Sequence, residues 1–379
     1  MSGAVIELVS KGAQDMYLIN NEGKESLFNL VYVRHTNFSQ ASKRLEFTGQ
    51  LPKNNGTSSI FLKSWGDLVN YMWLEGTNLT DYLSGTTFDL YIGGQKIDSQ
   101  TFEFLSEAWQ PYLAETYSKS TIINNHWTDS CKNFLPFHFF FCDLHSFIPL
   151  VALQYHDVEI RVTWGPSIEG CPNVTPYANY VYLDTRERET MTSKSMEIII
   201  SQVQRYEVPV KTDLVNNIDL SMINHPVKTL FFGIENSYRR TAKTGNTFTF
   251  DEAELQINGS TVFEHMSPLY FHVVQSFYHT DNAVISWNRS PSLPQQPSIT
   301  LLYMYNFCLN STSYRPTGTC NFSRLDNAKL ILKNLVSNLL TTDNQGTTTT
   351  TDVKNGVVYA VNYNVLKIQN GLGGILFGN

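Results

Sequence analysis

Charge is scarce in this sequence. Asp, Glu, Lys and Arg make up 16% of its 379 residues, against about 25% in ordinary soluble domains, and no basic block interrupts it. With 27 Lys and Arg against 34 Asp and Glu, the formal net charge is −7, which removes direct nucleic-acid binding from the leading functions. Cysteine is sparse too. Cys131, Cys142, Cys171, Cys308 and Cys320 are odd in number and contain no C-x-x-C pair, so neither a disulfide framework nor a zinc ribbon is indicated, and reduced thiols are the simplest account. Long apolar runs are missing as well. The greasiest stretch, 134–153, contains Pro136, His138, Asp143, His145 and Pro149, each costly in lipid. The first apolar stretch, Ala4 to Val9, is short and carries Glu7, so no signal peptide is expected and a soluble protein is read.

What is abundant is core material: 42% apolar and 13% aromatic residues, which excludes general disorder. Short runs of Val, Ile, Tyr, Phe and Thr recur between clusters of Gly, Asn, Ser, Pro and Asp, and this predicts an all-β chain. In Val158 to Val162 aliphatic residues alternate with charged ones, as on a half-buried strand. Tyr359, Val361, Tyr363 and Val365 alternate with Ala360, Asn362 and Asn364, so the chain is expected to end in a sheet. Helix is expected only in loops. Phe102, Leu105 and Trp109 suggest a short piece stopped by Pro111, and Leu68, Tyr71 and Met72 suggest another. The threonine-rich tract Thr341 to Asp352 has nothing to bury and reads as an exposed loop.

The second half weakly echoes the first. Leu90-Tyr91-Ile92-Gly93-Gly94 is answered 165 positions later by Leu255-Gln256-Ile257-Asn258-Gly259, and Val158 to Val162 is answered 170 positions later by Ala328 to Leu332. Similar offsets at separated places point to two domains of one architecture, joined at the charge-rich Leu183 to Glu189. The expected division is an N-terminal arm over 1–25, a first sandwich over 26–192 and a second over 193–379. Sandwiches of many short strands are commonly Greek keys or jelly rolls.

Longer signatures then resemble a known family. Leu8-Val9 with Gly12-Ala13-Gln14-Asp15, followed by Tyr32, Arg34, His35, Thr36, Asn37 and Phe38, looks like its N-terminal landmark. Ile92-Gly93-Gly94-Gln95 with Ile97-Asp98, then Pro149 to His156, then Tyr182-Leu183-Asp184-Thr185 with Glu187-Arg188, are similar to its middle. Pro316 to Ala328, including Asn321, Ser323, Arg324, Asp326 and Asn327, and Tyr359 to Leu366, including Asn362 and Tyr363, are the most specific. The chain resembles the double jelly-roll major capsid proteins of nucleocytoplasmic large DNA viruses. The resemblance implies two tandem eight-stranded jelly rolls with short helices in loops, and a homotrimer acting as a pseudo-hexameric capsomer of an icosahedral shell. It also implies neighbouring capsomers, minor capsid proteins beneath the shell and internal membrane proteins as partners, with assembly in the host cytoplasm. The N-terminal arm would lie beneath the capsomer; a strand added to its own sandwich is the other reading. Because the chain is short for the family, trimmed loops and smooth capsomer tops are expected. A capsid paralogue, or a glycan-binding attachment protein on the same scaffold, is the other functional reading.

Chemistry-bearing motifs are few. His138-x-x-x-Cys142-x-x-His145 has metal-like spacing but lies in an aromatic run read as strand, where alternation separates the histidines. His265, His272 and His279 recur every seven residues in a region read as strand and loop, and are separated in the same way. No His-x-His pair of the cupin kind occurs. Gly371-Leu372-Gly373-Gly374 has no following helix to hold a phosphate, and no serine-nucleophile or H-E-x-x-H motif is present. No catalytic residue, metal or cofactor is therefore expected. Eight sequons occur. Asn55, Asn78, Asn173, Asn288 and Asn310 are the possible glycosylation sites, Asn55 foremost, while Asn37 and Asn321 fall in family signatures and are read as structural, satisfying backbone groups in turns. Trp65, Trp73, Trp109, Trp127, Trp164 and Trp287 are expected mostly in cores rather than on glycan platforms.

Overall fold

The computed structural model describes residues 35–114, 119, 133–142, 146–212, 214–235, 247–281, 302–342, 348–352 and 355–378. By its contacts the chain parts into Met1–Phe38 and Ser39–Asn379. Of the first unit only 35–38 are described, and they are exposed. The expected arm over 1–25 lies outside the described residues.

The first half of the larger unit carries β1 (Phe38–Arg44), β2 (Phe47–Gly49), β3 (Thr57–Phe61), β4 (Leu68–Glu75) and β5 (Thr87–Ile92). These are followed by β6 (Gln95–Thr101), β7 (Phe134–Pro136), β8 (Ile148–Pro149), β9 (Val158–Thr163) and β10 (Thr175–Leu183). Two sheets result: β1-β10-β4-β7, with β8 also on β4, and β2-β3-β9-β5-β6. The second half carries β11 (Met196–Pro209), β12 (Asn216–Asp219), β13 (Pro226–Gly233), β14 (Thr247–Thr249), β15 (Glu252–Ile257), β16 (Ser260–Met266) and β17 (Leu302–Asn306). It continues with β18 (Cys320–Asn321), β19 (Ala328–Lys333), β20 (Val336–Thr342), β21 (Thr348–Asp352), β22 (Asn355–Gln369) and β23 (Leu372–Ile375). Its sheets run β11-β22-β13-β17 and β12-β19-β15-β16, with a small β14-β20-β21 sheet beside them.

The two halves repeat one wiring diagram. Reading β7 and β8 as one interrupted strand, β1-β10-β4-β7 corresponds to β11-β22-β13-β17, and β3-β9-β5-β6 corresponds to β12-β19-β15-β16. Each half is thus a two-sheet jelly roll of eight principal strands. The echoed pentads fall on β5 and β15 and on β9 and β19. Both echoed turns have two central residues at positive φ: Gly93 (57°) and Gly94 (81°), then Asn258 (49°) and Gly259 (79°). Two-residue hairpins demand that geometry.

Several local expectations are corrected. Leu68, Tyr71 and Met72 lie on β4 rather than on a helix. The piece containing Trp109 is a ten-residue π-helix, Phe104–Leu113, that runs through Pro111. The stretch after Pro136 is not strand: 137–142 are coil and turn, and Phe137, Phe139, Phe140 and Phe141 are all buried, which a half-buried strand could not achieve. His272 and His279 sit on helical turns, a π-turn Tyr270–Val274 and the helix that continues it, while His265 is on β16. The threonine tract forms β21, paired with β20 from Thr342↔Thr348 to Asn338↔Asp352. Threonine has high β propensity, and ladder pairing needs no burial. The charge-rich join is helix α1 (Thr185–Ser193), entered through Asp184. Its Arg188 pairs with the buried Asp67 at 2.8 Å, which ties the join to the first roll. The helix after the second π-turn is α2 (Gln275–His279).

Candidate assembly surface

The two rolls share a core. The β22 side chains Val358 and Ala360 face their own roll's interior, with Leu230 and Phe232. The alternate residues Val357, Tyr359 and Val361, with Phe231, Leu302 and Met304, belong instead to the apolar cluster of the first roll. This sheet is therefore buried on both faces. The cover on its outer face is the π-helix Phe104–Leu113, all ten residues of which are buried. Pro111 has no N–H to donate, and a π-helix is the widened form found where a helix accommodates such irregularity. The Phe104 ring meets Tyr359 at 5.2 Å and Phe231 at 6.5 Å, and the Tyr112 ring meets Phe231 at 5.7 Å. The Tyr112 hydroxyl donates to the Leu302 carbonyl (3.2 Å) and pairs with His272 Nδ1 (2.9 Å).

Polar bonds fix the register of this seam. Asp98 is 4% exposed. Its Oδ1 accepts from the Val203 N–H (2.8 Å) and its Oδ2 from Gln100 Nε2 (2.7 Å), while Gln202 donates to the Ile97 carbonyl. Burial pushes the Asp98 carboxyl up to about 6, against the opposing pull of the Val203 and Gln100 bonds. Burial likewise raises Glu103, whose Oε1 accepts from the Gly85 N–H at 2.7 Å. It holds His138 well below its ordinary range and lowers His272. Arg205 grips Glu235 with two bonds, 2.8 and 2.9 Å, and Glu235 also accepts from the Tyr359 hydroxyl. Thr101 reaches that hydroxyl from the first roll at 3.1 Å. At the other end of the seam, β23 returns to the first roll: Tyr155 N–H donates to the Gly371 carbonyl (3.1 Å), Gly373 N–H to His156 Nδ1 (3.1 Å) and Ile375 N–H to Gln95 Oε1 (3.1 Å).

Two aromatic clusters among the described residues lie at the surface, one in each roll. On the outer face of the first roll, Tyr71, Trp73 and Tyr177 are half-buried, and Trp73 stacks on Tyr177 at 5.3 Å. At the second π-turn, Leu269, Phe277 and Tyr278 are 64%, 76% and 71% exposed. Among the described residues no group of His, Cys, Asp and Glu could hold a metal ion. A hollow of about 440 Å³ beside the seam is walled by Trp109, His138, Ile198 and Tyr363, with the Lys228 ammonium bonded to the Ser311 carbonyl at 3.1 Å. The dominant geometry is that of packing surfaces.

Comparison with known proteins fits that geometry. Residues 187–374 match the family described as large eukaryotic DNA virus major capsid protein, and residues 26–184 match the major capsid protein N-terminus. The major capsid protein of Pyramimonas orientalis virus is 31% identical over the whole of both chains. The chain belongs to the major capsid proteins of large eukaryotic DNA viruses. The family member from Paramecium bursaria Chlorella virus 1 is 28% identical, again over the whole of both chains. Among solved structures, the PBCV-1 virus capsid is similar with a TM-score of 0.74 at 25% identity, covering 93% of this chain and 100% of that one. The Faustovirus major capsid protein shares the fold at 9% identity, with a TM-score of 0.70 over 95% and 94% of the two chains.

The signature residues turn out to serve turns and the seam. Gly93 and Gly94 form the β5–β6 turn, where a Cβ on Gly93 would run into the His156 ring. Asp184 caps α1 with its carbonyl, which accepts from Glu187 and Arg188 at 3.1 and 3.0 Å. Asn321 Oδ1 takes the Ser323 N–H (3.1 Å), and Ser323 Oγ takes the His225 N–H (2.7 Å). The N–H groups of Asp326 and Asn327 both donate to Asn258 Oδ1, at 3.0 and 3.2 Å. Asn258, named in the sequence only within the echoed turn, thus also holds the 326–327 backbone. Arg324 is exposed on the same turn. Asn362 is fully buried and accepts from Gln204 at 2.9 Å. Tyr363 lies under the Lys228 ammonium at 5.6 Å. His35 and Asn37 are exposed, and Arg34 lies outside the described residues.

Of the sequons, Asn55, Asn78 and Asn173 are exposed at positive φ. Asn310 is half-buried and spends its amide on Asp281 (2.8 Å) and its oxygen on the Thr312 N–H (2.9 Å). Asn288 lies outside the described residues. Trp164 and Trp109 are core residues, whereas Trp65 is 41% exposed and Trp73 faces outward. Trp127 and Trp287 are also outside the described residues.

Proposed function

We propose that this chain is the structural subunit of an icosahedral shell, a homotrimer whose six jelly rolls fill a hexagonal site. The observation that carries the reading is the paired wiring of β1–β10 and β11–β22 around one shared core. Two similar modules per chain let three chains present six similar edges around a three-fold axis. The working unit divides at 192/193, with 1–25 as an arm toward minor capsid and internal membrane proteins. The role is shape rather than catalysis, and its place is the virion capsid, reached by assembly in the host cytoplasm. Capsomer-to-capsomer contacts are the weaker set, since obligate interfaces typically exceed about 2,000 Å².

The test is the mass and outline of the purified chain. Light scattering is expected to give three chains of 43.2 kDa, near 130 kDa for a closed trimer, with a six-lobed outline in negative stain. A monodisperse monomer at micromolar concentration refutes it. The glycan-binding reading is favoured only if the intact trimer binds specific sugars on an array.

A further inference from the structure

The internal duplication gives each roll the same two contact surfaces, and among the described residues one pairing of them is satisfied within the chain. On the outer face of the second roll, Phe231 pairs across the ladder with Tyr359 on one side and Met304 on the other. In the first roll the equivalent position is Trp73, which pairs with Tyr177 on one side and Pro136 on the other. Phe231 and Tyr359 are buried under Phe104 and Tyr112. Trp73 and Tyr177 are half-buried, with no such element over them among the described residues, and beside them Tyr71, Phe134, Pro136, Phe137 and Cys142 wall a hollow of about 260 Å³.

The covering element is duplicated as well. Each π-helical segment follows the second strand of a hairpin, β6 or β16, and those hairpins are related by 165 positions. The same offset carries Phe104 to Leu269, Tyr112 to Phe277 and Leu113 to Tyr278. In the first roll these residues are 2%, 1% and 7% exposed; in the second they are 64%, 76% and 71% exposed. One copy of the surface is fully buried against its mate; of the other copy, the helical half is exposed and the sheet half is half-buried.

We propose that the Leu269/Phe277/Tyr278 surface of one chain docks on the Tyr71/Trp73/Tyr177 face of a second copy of the same chain, repeating between chains the seam made within each. The contact is head-to-tail: it joins unlike surfaces, so it closes into a ring when the rotation permits. The proposal rests on the trimer reading above and deepens it by naming the residues that hold the trimer. Phe277 takes the place of Tyr112 and enters the hollow beside Trp73.

The test uses the full-length chain. Wild type is first sized by light scattering; a monomer there defeats the trimer reading itself. Given a wild-type trimer, Phe277→Glu is expected to shift the mass from three chains to one with far-UV circular dichroism and melting temperature unchanged, because Phe277 is 76% exposed in the single chain. Trp73→Glu is expected to give the same loss of mass with circular dichroism unchanged but a lower melting temperature, because its half-buried ring stacks on Tyr177. Either variant remaining trimeric overturns the proposal. A variant that misfolds is decided by the second arm: the double variant Phe277→Cys, Trp73→Cys is oxidised and run without reductant. Dimer and trimer bands that wild type lacks support the docking, and their absence from a trimeric sample overturns it.

Discussion

The buried carboxyl of Asp98 offers a sharp test of the seam. It sits where β6 of the first roll meets β11 of the second, and its ordinary value of 3.8 rises to about 6, chiefly through burial. A shift of roughly two units corresponds to about 3 kcal/mol between the ionised and neutral forms. The sign follows from linkage. The folded-state value lies above the unfolded one, so the ionised group costs stability at neutral pH, and that cost fades as pH falls from about 7 through 6 toward 4. His138 and His272 are depressed in the fold, so they lose stability on acidification below 6.5 and mask the effect in wild type. The comparison must therefore be made against Asp98→Asn, which keeps the shape and cannot ionise. Its amide faces Gln100 Nε2 poorly, but that penalty does not depend on pH. The stability of the variant relative to wild type is expected to fall by about 2 kcal/mol between pH 7.5 and pH 4.5, with about 1 kcal/mol more lost only below the unfolded value. In a melting scan this is a change in the difference of roughly 2–3 °C for a chain of this size. A difference that stays flat across that range refutes the assignment of Asp98 as a buried, costly charge.

Two further substitutions probe the seam and the turns. Phe104→Ala removes the ring packed on Tyr359 and Phe231, and urea unfolding is expected to show a loss of about 3–5 kcal/mol. A loss below 1 kcal/mol contradicts the shared core. Gly93→Ala combines positive φ with a collision against His156, whereas Gly94→Ala meets open space at φ 81°. The first is expected to cost more than about 2 kcal/mol and the second about 1 kcal/mol, and equal melting temperatures refute the distinction.

The duplicated wiring was legible where local chemistry is strict. The turns after β5 and β15 need residues tolerant of positive φ, and Gly-Gly and Asn-Gly advertise that need. The alternation in Val158 to Val162 and in Tyr359 to Val365 reports strand directly. What stayed hidden was burial on both faces. In β22 one face is Val, Tyr and Val, and the other is Val, Ala and Asn; alternation in polarity reads as one wet face, although Asn362 is fully buried with its amide satisfied. The same ambiguity misplaced Leu68, Tyr71 and Met72, because β4 is apolar inside and aromatic outside, and spacing alone cannot separate that from a helical stripe. The π-helix was foreshortened since Pro111 ordinarily ends an α-helix. The seam partners Asp98 and Val203, or Tyr112 and His272, are too far apart in sequence for any local pattern to join them.

The two copies of the contact surface differ at one matched position, Phe231 against Trp73. Within the seam the buried rings are Phe104, Tyr112, Phe231 and Tyr359, and both tyrosine hydroxyls are bonded, that of Tyr112 to the Leu302 carbonyl and that of Tyr359 to Glu235. On the half-buried face the rings are Tyr71, Trp73 and Tyr177, and the Trp73 indole N–H is already bonded to Glu75 at 2.8 Å. Tyrosine and tryptophan carry large contact area with one end that tolerates water, so a folded chain keeps this face soluble until a partner arrives. Phe277 breaks the pattern, and that break is informative. A ring without a polar end, 76% exposed on a five-residue helix, gains most from cover. In the docking proposed above, burying it accounts for about 2 kcal/mol of association, which makes it the residue whose replacement by glutamate should dissolve the ring of three chains while leaving each folded.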